Sequence, residues 1–170
     1  MYDLTAIIPT FREEANIRTI ISEVDAVFRN SGLKGEILVV DDNSPDNTIA
    51  IITELKKTLP NLNLLVRTED HGLSQSVADG FFHASSDVFI VIDADLSHPP
   101  SLIPKMCAEI RAGADVVIGS RYMEGGGNPE MAAQTPGHPA WGDVSRAAPL
   151  SGSYRSGQWV LRHQKISYRH

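Results

Sequence analysis

Short apolar runs and amphipathic stretches alternate along the chain from Met1 to about Arg121. The apolar runs are rich in β-branched residues, which is typical of buried strands. They predict strands at 4–8, 36–40, 62–67, 88–92 and 115–118. The amphipathic stretches predict helices at 14–30, 47–58, 73–85 and 101–112. This alternation predicts an α/β fold, with a mostly parallel sheet, helices on both faces and right-handed crossovers.

The fourth predicted strand ends in two carboxylates, because Val88–Ile92 runs directly into Asp93-Ala94-Asp95. Ligands of open α/β sheets bind beyond the carboxyl ends of the strands. Two ionised carboxylates about 4 Å apart repel by roughly 4 kcal/mol at an effective dielectric near 20, and a divalent cation between them offsets that cost. Oxygen ligands favour Mg²⁺ or Mn²⁺, which usually also bind substrate phosphates. A pair of solvated loop aspartates is the alternative.

Two more strands end in acidic segments. The second runs into Asp41-Asp42 and the turn sequence Asn43-Ser44-Pro45, where one carboxylate can accept hydrogen bonds from a ribose or a base edge. The first runs into Pro9-Thr10-Phe11-Arg12-Glu13-Glu14. Three acidic strand ends at one sheet edge favour a ligand site. For the second motif, capping of the next helix by Asp46 or Asn47 is the alternative.

Two other segments carry candidate phosphate contacts. Arg121 follows the fifth strand, where its guanidinium can contact a phosphate bidentately or form a salt bridge with an aspartate. Gly72–Ser76 begins the third helix, whose N–H groups can meet phosphate or sugar oxygens. A glycine turn that leads into a helix is the alternative there.

The composition is that of one globular domain with enough apolar residues for a core, since 42% of the 170 residues are hydrophobic and 21% are charged. The net charge of −6 and the lack of a dense basic run argue against nucleic acid as a partner. Cys107, the single cysteine, excludes an internal disulfide and fits a reducing cytoplasm as a buried residue on a helix. We see no signal peptide and no run of membrane-spanning length, so we expect a cytoplasmic chain whose membrane contacts are peripheral, at the cytoplasmic face.

Four strings occur in order between Leu4 and Gly127: IIPTFREEANI, VVDDNSPDNT, DADLSHPP and VIGSRYMEGGG. In order and approximate spacing they resemble the family 2 glycosyltransferases with the GT-A fold, a Rossmann-like fold, and within them the dolichyl- and polyprenyl-phosphate mannose synthases. DADLSHPP together with GSRY is the specific part of the resemblance. Phe11-Arg12 stands where that family usually has Tyr-Asn, so the aromatic ring is kept and its hydroxyl is lost.

The resemblance implies transfer of mannose from GDP-mannose to a dolichyl or polyprenyl monophosphate at a membrane surface, with inversion of the anomeric centre and with Mg²⁺ or Mn²⁺. By resemblance, the nucleotide pocket would be lined by Pro9, Phe11, Glu13, Val40 and Asp42. The diphosphate and the metal would be held by Asp93, Ala94 and Asp95, with Ser97 near the cation. Arg121 would face the donor or the acceptor phosphate. The catalytic residues implied are Asp93, Asp95 and Arg121.

Three other functions are compatible with parts of this pattern. A different family 2 enzyme would transfer another sugar from a UDP- or GDP-sugar. A nucleotidyltransferase is disfavoured, because its usual Gly-rich, basic phosphate loop near the first strand is absent. A non-catalytic remnant would bind a nucleotide sugar without turnover.

The pattern changes after Gly127. Residues 128–170 contain four prolines and both tryptophans but no sustained helical or strand periodicity. We therefore expect a nucleotide-sugar-binding domain at 1–127 and an aberrant or disordered tail at 128–170, with the sheet truncated on its C-terminal side.

Our hypothesis for this tail is a shifted reading frame after Gly127. Codons read one nucleotide later permit IRKWRLKRRVIPRGATFLARPL and, near the end, DPIGPVSGFFAIR, both of which resemble the family's continuation. The shifted frame forces a tryptophan at Met131 and glycines at Trp141 and Trp159, where the continuation needs them. A naturally divergent tail is the alternative.

Overall fold

The computed structural model describes residues 2–69, 71–119, 144–147 and 159–162. Its strands are β1 (Leu4–Thr10), β2 (Gly35–Asp41), β3 (Leu62–Val66), β4 (Val88–Val91), β5 (Val116–Gly119), β6 (Val144–Ala147) and β7 (Trp159–Arg162). Its helices are α1 (Ile17–Ser31), α2 (Thr48–Leu55), α3 (Leu73–His83) and α4 (Ile103–Arg111), and a 3₁₀ turn at Pro100–Leu102 precedes α4.

The described strands form one sheet in the order β3-β2-β1-β4-β7-β5-β6. β1 pairs in parallel with β2 and with β4, and β2 pairs in parallel with β3. β7 is antiparallel to both β4 and β5, so β4 and β5 run in the same direction, and β6 is antiparallel to β5. The predicted α/β fold with a mostly parallel sheet is confirmed.

Helices cover both faces of the sheet, as the sequence predicts. On one face, Leu4, Ala6 and Ile8 of β1 belong to the larger core cluster, together with apolar residues of α1, α2 and α4. On the other face, Ile7 belongs to a smaller cluster with Leu38, Val40 and Phe89, beneath α3. This alternation follows the period of two of a strand that is buried on both faces.

The observed elements differ from the predicted ones mainly at their ends. α1 begins at Ile17 rather than at residue 14, because residues 11–16 form the loop that follows β1. α4 begins at Ile103, since the prolines before it lead into a 3₁₀ turn instead of a first α-helical turn. The sequence predicts no regular element after Gly127, whereas β6 and β7 lie there, because the exposed edges of β4 and β5 offer backbone hydrogen bonds. No helix in the described ranges is long and apolar enough to cross a membrane.

Gly80 allows α3 to approach the sheet closely. A Cβ built at this position would lie 2.6 Å from Ile7 Cγ2, inside the distance that real side chains allow. Both Gly80 and Ile7 are buried. Because Gly80 has no side chain, α3 can pack at a short distance from the sheet. This distance also determines the position of the loop that precedes the helix.

We expect Gly80→Ala to lower the free energy of unfolding by about 1–3 kcal/mol, the usual cost of overpacking a core. This loss should outweigh the gain in helix propensity of about 1 kcal/mol from replacing glycine by alanine. Urea denaturation measures the difference. Ser74→Ala, at an exposed position of the same helix, is the matched control and should change the stability by less than about 0.5 kcal/mol. A Gly80→Ala chain as stable as the original would contradict the close approach.

Candidate active site

The carboxyl ends of β1, β2 and β4 meet at one edge of the sheet. Their shared register places Thr10 opposite Asp41, and Ile7 opposite Val91. The loops that follow these strands contain Arg12, Asn43 and Leu96, the non-glycine residues of the described chain that have positive φ angles, 60°, 56° and 61°. Such conformations cost of order 1–3 kcal/mol each and cluster at functional sites. Their concentration on three adjoining loops is the pattern expected of a ligand-binding edge.

The loops after β1 and β2 are joined by hydrogen bonds between backbone and side chains. The Arg12 N–H donates to Ser44 Oγ at 2.9 Å, and the Glu13 N–H donates to Thr48 Oγ1 at 2.9 Å. In the opposite direction, the Asn47 N–H donates to Glu14 Oε2 at 3.0 Å. These bonds hold the two loops as one unit.

Asp41 and Asp42 have different roles, although they are neighbours in the sequence. Asp41 is fully buried, and its carboxylate accepts hydrogen bonds from the Thr10 hydroxyl at 2.9 Å and from the Ser44 hydroxyl and N–H, both at 2.7 Å. It therefore closes the turn after β2 and has no exposed surface for a ligand.

Asp42 is held by three donors: Arg67, which follows β3, Gly72, which precedes α3, and Ser76 on α3. Arg67 Nη1 donates to its Oδ1, the Ser76 hydroxyl donates to the same oxygen at 2.9 Å, and the Gly72 N–H donates to Oδ2 at 2.7 Å. Burial alone would raise the pKa of Asp42, but the hydrogen bonds from Gly72, Ser76 and Arg67 outweigh burial and lower the pKa below its usual value. Asp42 is therefore ionised at neutral pH.

Arg67 lies directly after β3, and its side chain is buried. Besides Asp42 it contacts Asp79, to which its Nε donates at 2.7 Å. Sequence reasoning did not single out this residue. The signal was present, since Arg67 is a charged residue at a strand end, as Arg121 is. The sequence predicts that the Gly72 N–H can contact a phosphate or a sugar, whereas in the structure it donates to Asp42.

The other residues expected in the nucleotide pocket are unequally accessible. Phe11 is half exposed, and the Arg12 guanidinium lies 5.1 Å from its ring centroid, in a cation–π contact. The Glu13 carboxylate accepts a hydrogen bond from Asn16 Nδ2 at 3.1 Å. Pro9 and Val40 are buried and paired with each other in the sheet. These two can therefore meet a ligand through their backbone atoms rather than their side chains.

The loop after β4 holds the two predicted metal-binding carboxylates. Asp95 is exposed, and its Oδ1 accepts the Ser97 N–H at 2.9 Å. Asp93 is partly exposed, and its N–H donates to Nδ1 of the buried His98 at 3.3 Å. The same nitrogen lies 3.4 Å from Asp93 Oδ2. Ala94, between the two aspartates, is buried, so it anchors the loop while both carboxylates remain accessible.

These residues fit a divalent cation by the chemistry of their donors. Asp93, Asp95 and Ser97 supply only oxygen atoms, and Mg²⁺ is commonly bound by one or two carboxylates together with substrate phosphates. Within the described ranges, no group of three or more His, Cys, Asp or Glu side chains is arranged to hold a metal. The protein would thus supply part of a coordination shell that a diphosphate completes. Arg121 lies outside the described residues, so its predicted phosphate contact stays a prediction.

The fold is that of glycosyltransferases of known structure. A mannosyltransferase from Pyrobaculum calidifontis, solved in complex with GDP-Man and Mn²⁺, is similar with a TM-score of 0.61 and 22% identity, over 71% of this chain and 37% of that one. The glucosyl-3-phosphoglycerate synthase of Mycobacterium tuberculosis in complex with UDP is similar with a TM-score of 0.62 and 18% identity, over 95% of this chain and 57% of that one. At these identities the likeness shows the fold alone.

Sequence similarity then gives the family. The model of Glycosyl transferase family 2 matches residues 5–168, and the chain belongs to this family. It is 46% identical over 123 residues to a dolichol-phosphate mannosyltransferase of Pyrococcus furiosus, covering 72% of this chain and 34% of the relative. It is 37% identical over 124 residues to the polyprenol monophosphomannose synthase of Mycolicibacterium smegmatis, covering 71% of this chain and 45% of the relative. The chain thus spans between a third and a half of the length of these relatives.

The lowered pKa of Asp42 has a consequence for stability. Its ionised form is favoured by folding, so its contribution is fully present above the usual pKa of 3.8 and is lost as the pH falls through the lower pKa of the folded state. We expect Asp42→Asn to lower the free energy of unfolding by about 1–3 kcal/mol at neutral pH, and the difference from the original chain should shrink below about pH 4.

Urea denaturation at pH 7 and at pH values from 5 downward measures this dependence. Asp87→Asn, at an exposed position, is the matched control and should leave the stability nearly unchanged. A difference between the Asp42→Asn chain and the original that stays constant down to the lowest pH would show that Asp42 does not act through its charge.

Proposed function

We propose that the chain is the donor-binding part of a glycosyltransferase that transfers mannose from GDP-mannose to a dolichyl or polyprenyl monophosphate, with inversion at the anomeric carbon. One observation carries the proposal: Asp42 lies at the end of β2 and Asp93 and Asp95 follow β4, at the same sheet edge on either side of β1. This arrangement offers one acidic site to a nucleoside and another to a diphosphate. The 46% identity to a dolichol-phosphate mannosyltransferase supports mannose and the polyprenyl acceptor.

In this mechanism the chain's own residues position the donor. Asp42 accepts a hydrogen bond from the nucleoside, and the exposed ring of Phe11 offers a surface on which a base stacks. Asp93, Asp95 and Ser97 would hold Mg²⁺ or Mn²⁺, which supplies a Lewis acid for the charge that develops on the departing diphosphate. The buried His98 accepts the Asp93 backbone N–H through its Nδ1, which holds the backbone of the loop at this aspartate.

The acceptor side of the reaction makes modest chemical demands. A polyprenyl phosphate is already anionic, so it requires positioning more than a strong general base. Arg121 is the residue proposed to face the donor or the acceptor phosphate. Because the prenyl chain is apolar, we place the reaction at a membrane surface, on the cytoplasmic face, with the protein bound peripherally.

A different family 2 transferase is the second candidate. Its support is the similarity in fold to a UDP complex of glucosyl-3-phosphoglycerate synthase. GDP-mannose is favoured because the relatives from Pyrococcus furiosus, Mycosarcoma maydis, Saccharomyces cerevisiae and Mycolicibacterium smegmatis, which are 32–46% identical, all carry mannosyl-transfer names. Titration of the chain with GDP-mannose and with UDP-sugars separates the two candidates.

For the tail we propose the shifted reading frame. Its support is that the matches to these four relatives extend over 122–126 residues, which is close to the length of the segment from Leu4 to Gly127. Sequencing the coding DNA around Gly127 tests it directly. Codons for Asn128-Pro129-Glu130 that are incompatible with the shifted strings would end the proposal.

The cation proposal predicts that donor binding depends on metal. Binding of GDP-mannose should weaken when Mg²⁺ and Mn²⁺ are removed by a chelator, and Asp95→Ala should weaken metal-dependent binding at least tenfold, which is about 1.4 kcal/mol. Calorimetry measures both effects. Asp87→Ala, an exposed carboxylate next to the opposite end of β4, is the matched control. Equal affinity with and without chelator would count against the cation site.

The tail proposal predicts the activity of two versions of the protein. The 170-residue chain should transfer little or no mannose, because the basic segment that would gather the acceptor phosphate is read in the wrong frame. A version with the frame restored after Gly127, and with the gene sequence that follows, should transfer mannose to a polyprenyl phosphate. A radiolabelled GDP-mannose assay compares them. Robust transfer by the 170-residue chain would refute the proposal.

A further inference from the structure

The Asp42 carboxylate has little hydrogen-bonding capacity left for a ligand. An ionised carboxylate has about four acceptor positions, two on each oxygen. Oδ1 accepts from Arg67 Nη1, and Oδ2 accepts from the Gly72 N–H. The single Ser76 hydroxyl hydrogen lies between Oδ1 at 2.9 Å and the Gly72 carbonyl oxygen at 3.0 Å, and the charged carboxylate is the stronger acceptor of the two. By this count Oδ1 is saturated, and a single position remains on Oδ2.

This count restricts how a nucleotide can be recognised. Guanine presents two adjacent donors, N1–H and the 2-amino group, and a carboxylate can pair with both only when each of its oxygens accepts one. With Oδ1 saturated, Asp42 can take one donor only, either one N–H of the base or one hydroxyl of the ribose. The buried position of Arg67 keeps the arrangement fixed, since its Nε also donates to Asp79 on α3.

We propose that Arg67 is a positioning residue for the nucleotide, which acts through Asp42 and limits that carboxylate to a single hydrogen bond with the nucleoside, at Oδ2. The inference rests on the proposed function, because it takes a guanine nucleotide as the ligand. Nucleotide affinity then depends on Arg67 although Arg67 touches no ligand atom. Selection of guanine by a paired contact belongs to another part of the site.

A double-mutant cycle tests the action of Arg67 through Asp42. We expect Arg67→Lys to weaken GDP binding about tenfold, because an ammonium cannot reproduce the planar fork that reaches both Asp42 and Asp79. In an Asp42→Asn background the same change should alter the affinity by less than about twofold. NMR titration of the full 170-residue chain measures these affinities even when binding is weak. Arg18→Gln, which removes an exposed arginine paired with Glu54, is the matched control and should change nothing.

Ser76→Ala is the milder variant in case Arg67→Lys does not fold. It removes one of the two donors to Oδ1 and keeps Arg67, so it opens one acceptor position while Asp42 stays held, and the resulting change in GDP affinity should occur only when Asp42 is present. Equal losses of affinity in both backgrounds, for either variant, would show that these residues act on the nucleotide by another route and would overturn the proposal.

The single hydrogen bond is tested with inosine diphosphate, which lacks the 2-amino group. If Asp42 contacts N1–H or a ribose hydroxyl, inosine diphosphate keeps that donor, and Asp42→Asn should lower its affinity by the same factor as that of GDP. If Asp42 contacts the 2-amino group, inosine diphosphate lacks the donor, and Asp42→Asn should not lower its affinity. A loss reduced to an intermediate value would show a paired contact and overturn this part. If the unsubstituted chain bound no guanine nucleotide, the proposed function would fail along with this inference. If it binds GDP but the cycle is additive, only the inference fails.

Discussion

The parallel pairing of β1 with both β2 and β4 is the constraint on which the rest of the site depends. β1 and β2 are buried along their whole length, and their register brings Thr10 beside Asp41. A slip of one residue would turn every side chain of β1 to the opposite face and would bury Ile7 where Ile8 now lies. Because that exchange would disrupt both core clusters, the apolar packing of the sheet also determines where the acidic loops emerge.

Buried carboxylates at both ends of the sheet secure this arrangement. At the amino end, Glu36 is almost fully buried, and it accepts hydrogen bonds from Thr5 Oγ1 at 2.7 Å, Asn63 Nδ2 at 2.8 Å and the Ser85 N–H at 2.8 Å. Asp41 does the equivalent at the carboxyl end. Each satisfies its charge with donors from neighbouring elements, which makes burial tolerable. Glu36 and Asp41 therefore connect neighbouring strands and loops through hydrogen bonds, whereas Asp93 and Asp95 have solvent-accessible side chains.

The sequence predicted those features of the structure that depend on a local pattern of residues. The β-branched runs identified strands β1 to β5, and the charged residues after them identified the edge at which the acidic loops lie together, since period and turn chemistry are local properties. The network around Asp42 could not be predicted in the same way, because its donors come from the segment between β3 and α3 and from α3 itself. Their convergence depends on how closely α3 packs against β1. The division of labour between Asp41 and Asp42 was also inaccessible, since it follows from which side of the β2 turn each carboxylate faces.

The position of β7 depends on backbone pairing, which the side-chain pattern of the sequence does not reveal. β4 and β5 run in the same direction, and β7 fills the gap between them through antiparallel backbone pairing with each. Every residue except proline carries the backbone N–H and C=O groups that this pairing requires, so a segment without a strand-like side-chain pattern can occupy the gap. In the reading frame that we propose, Gly-Phe-Phe would begin this strand at the position of Trp159. Phenylalanine side chains at successive positions of a central strand face opposite sides of the sheet, so the restored strand would both fill the gap and add an aromatic ring to each core.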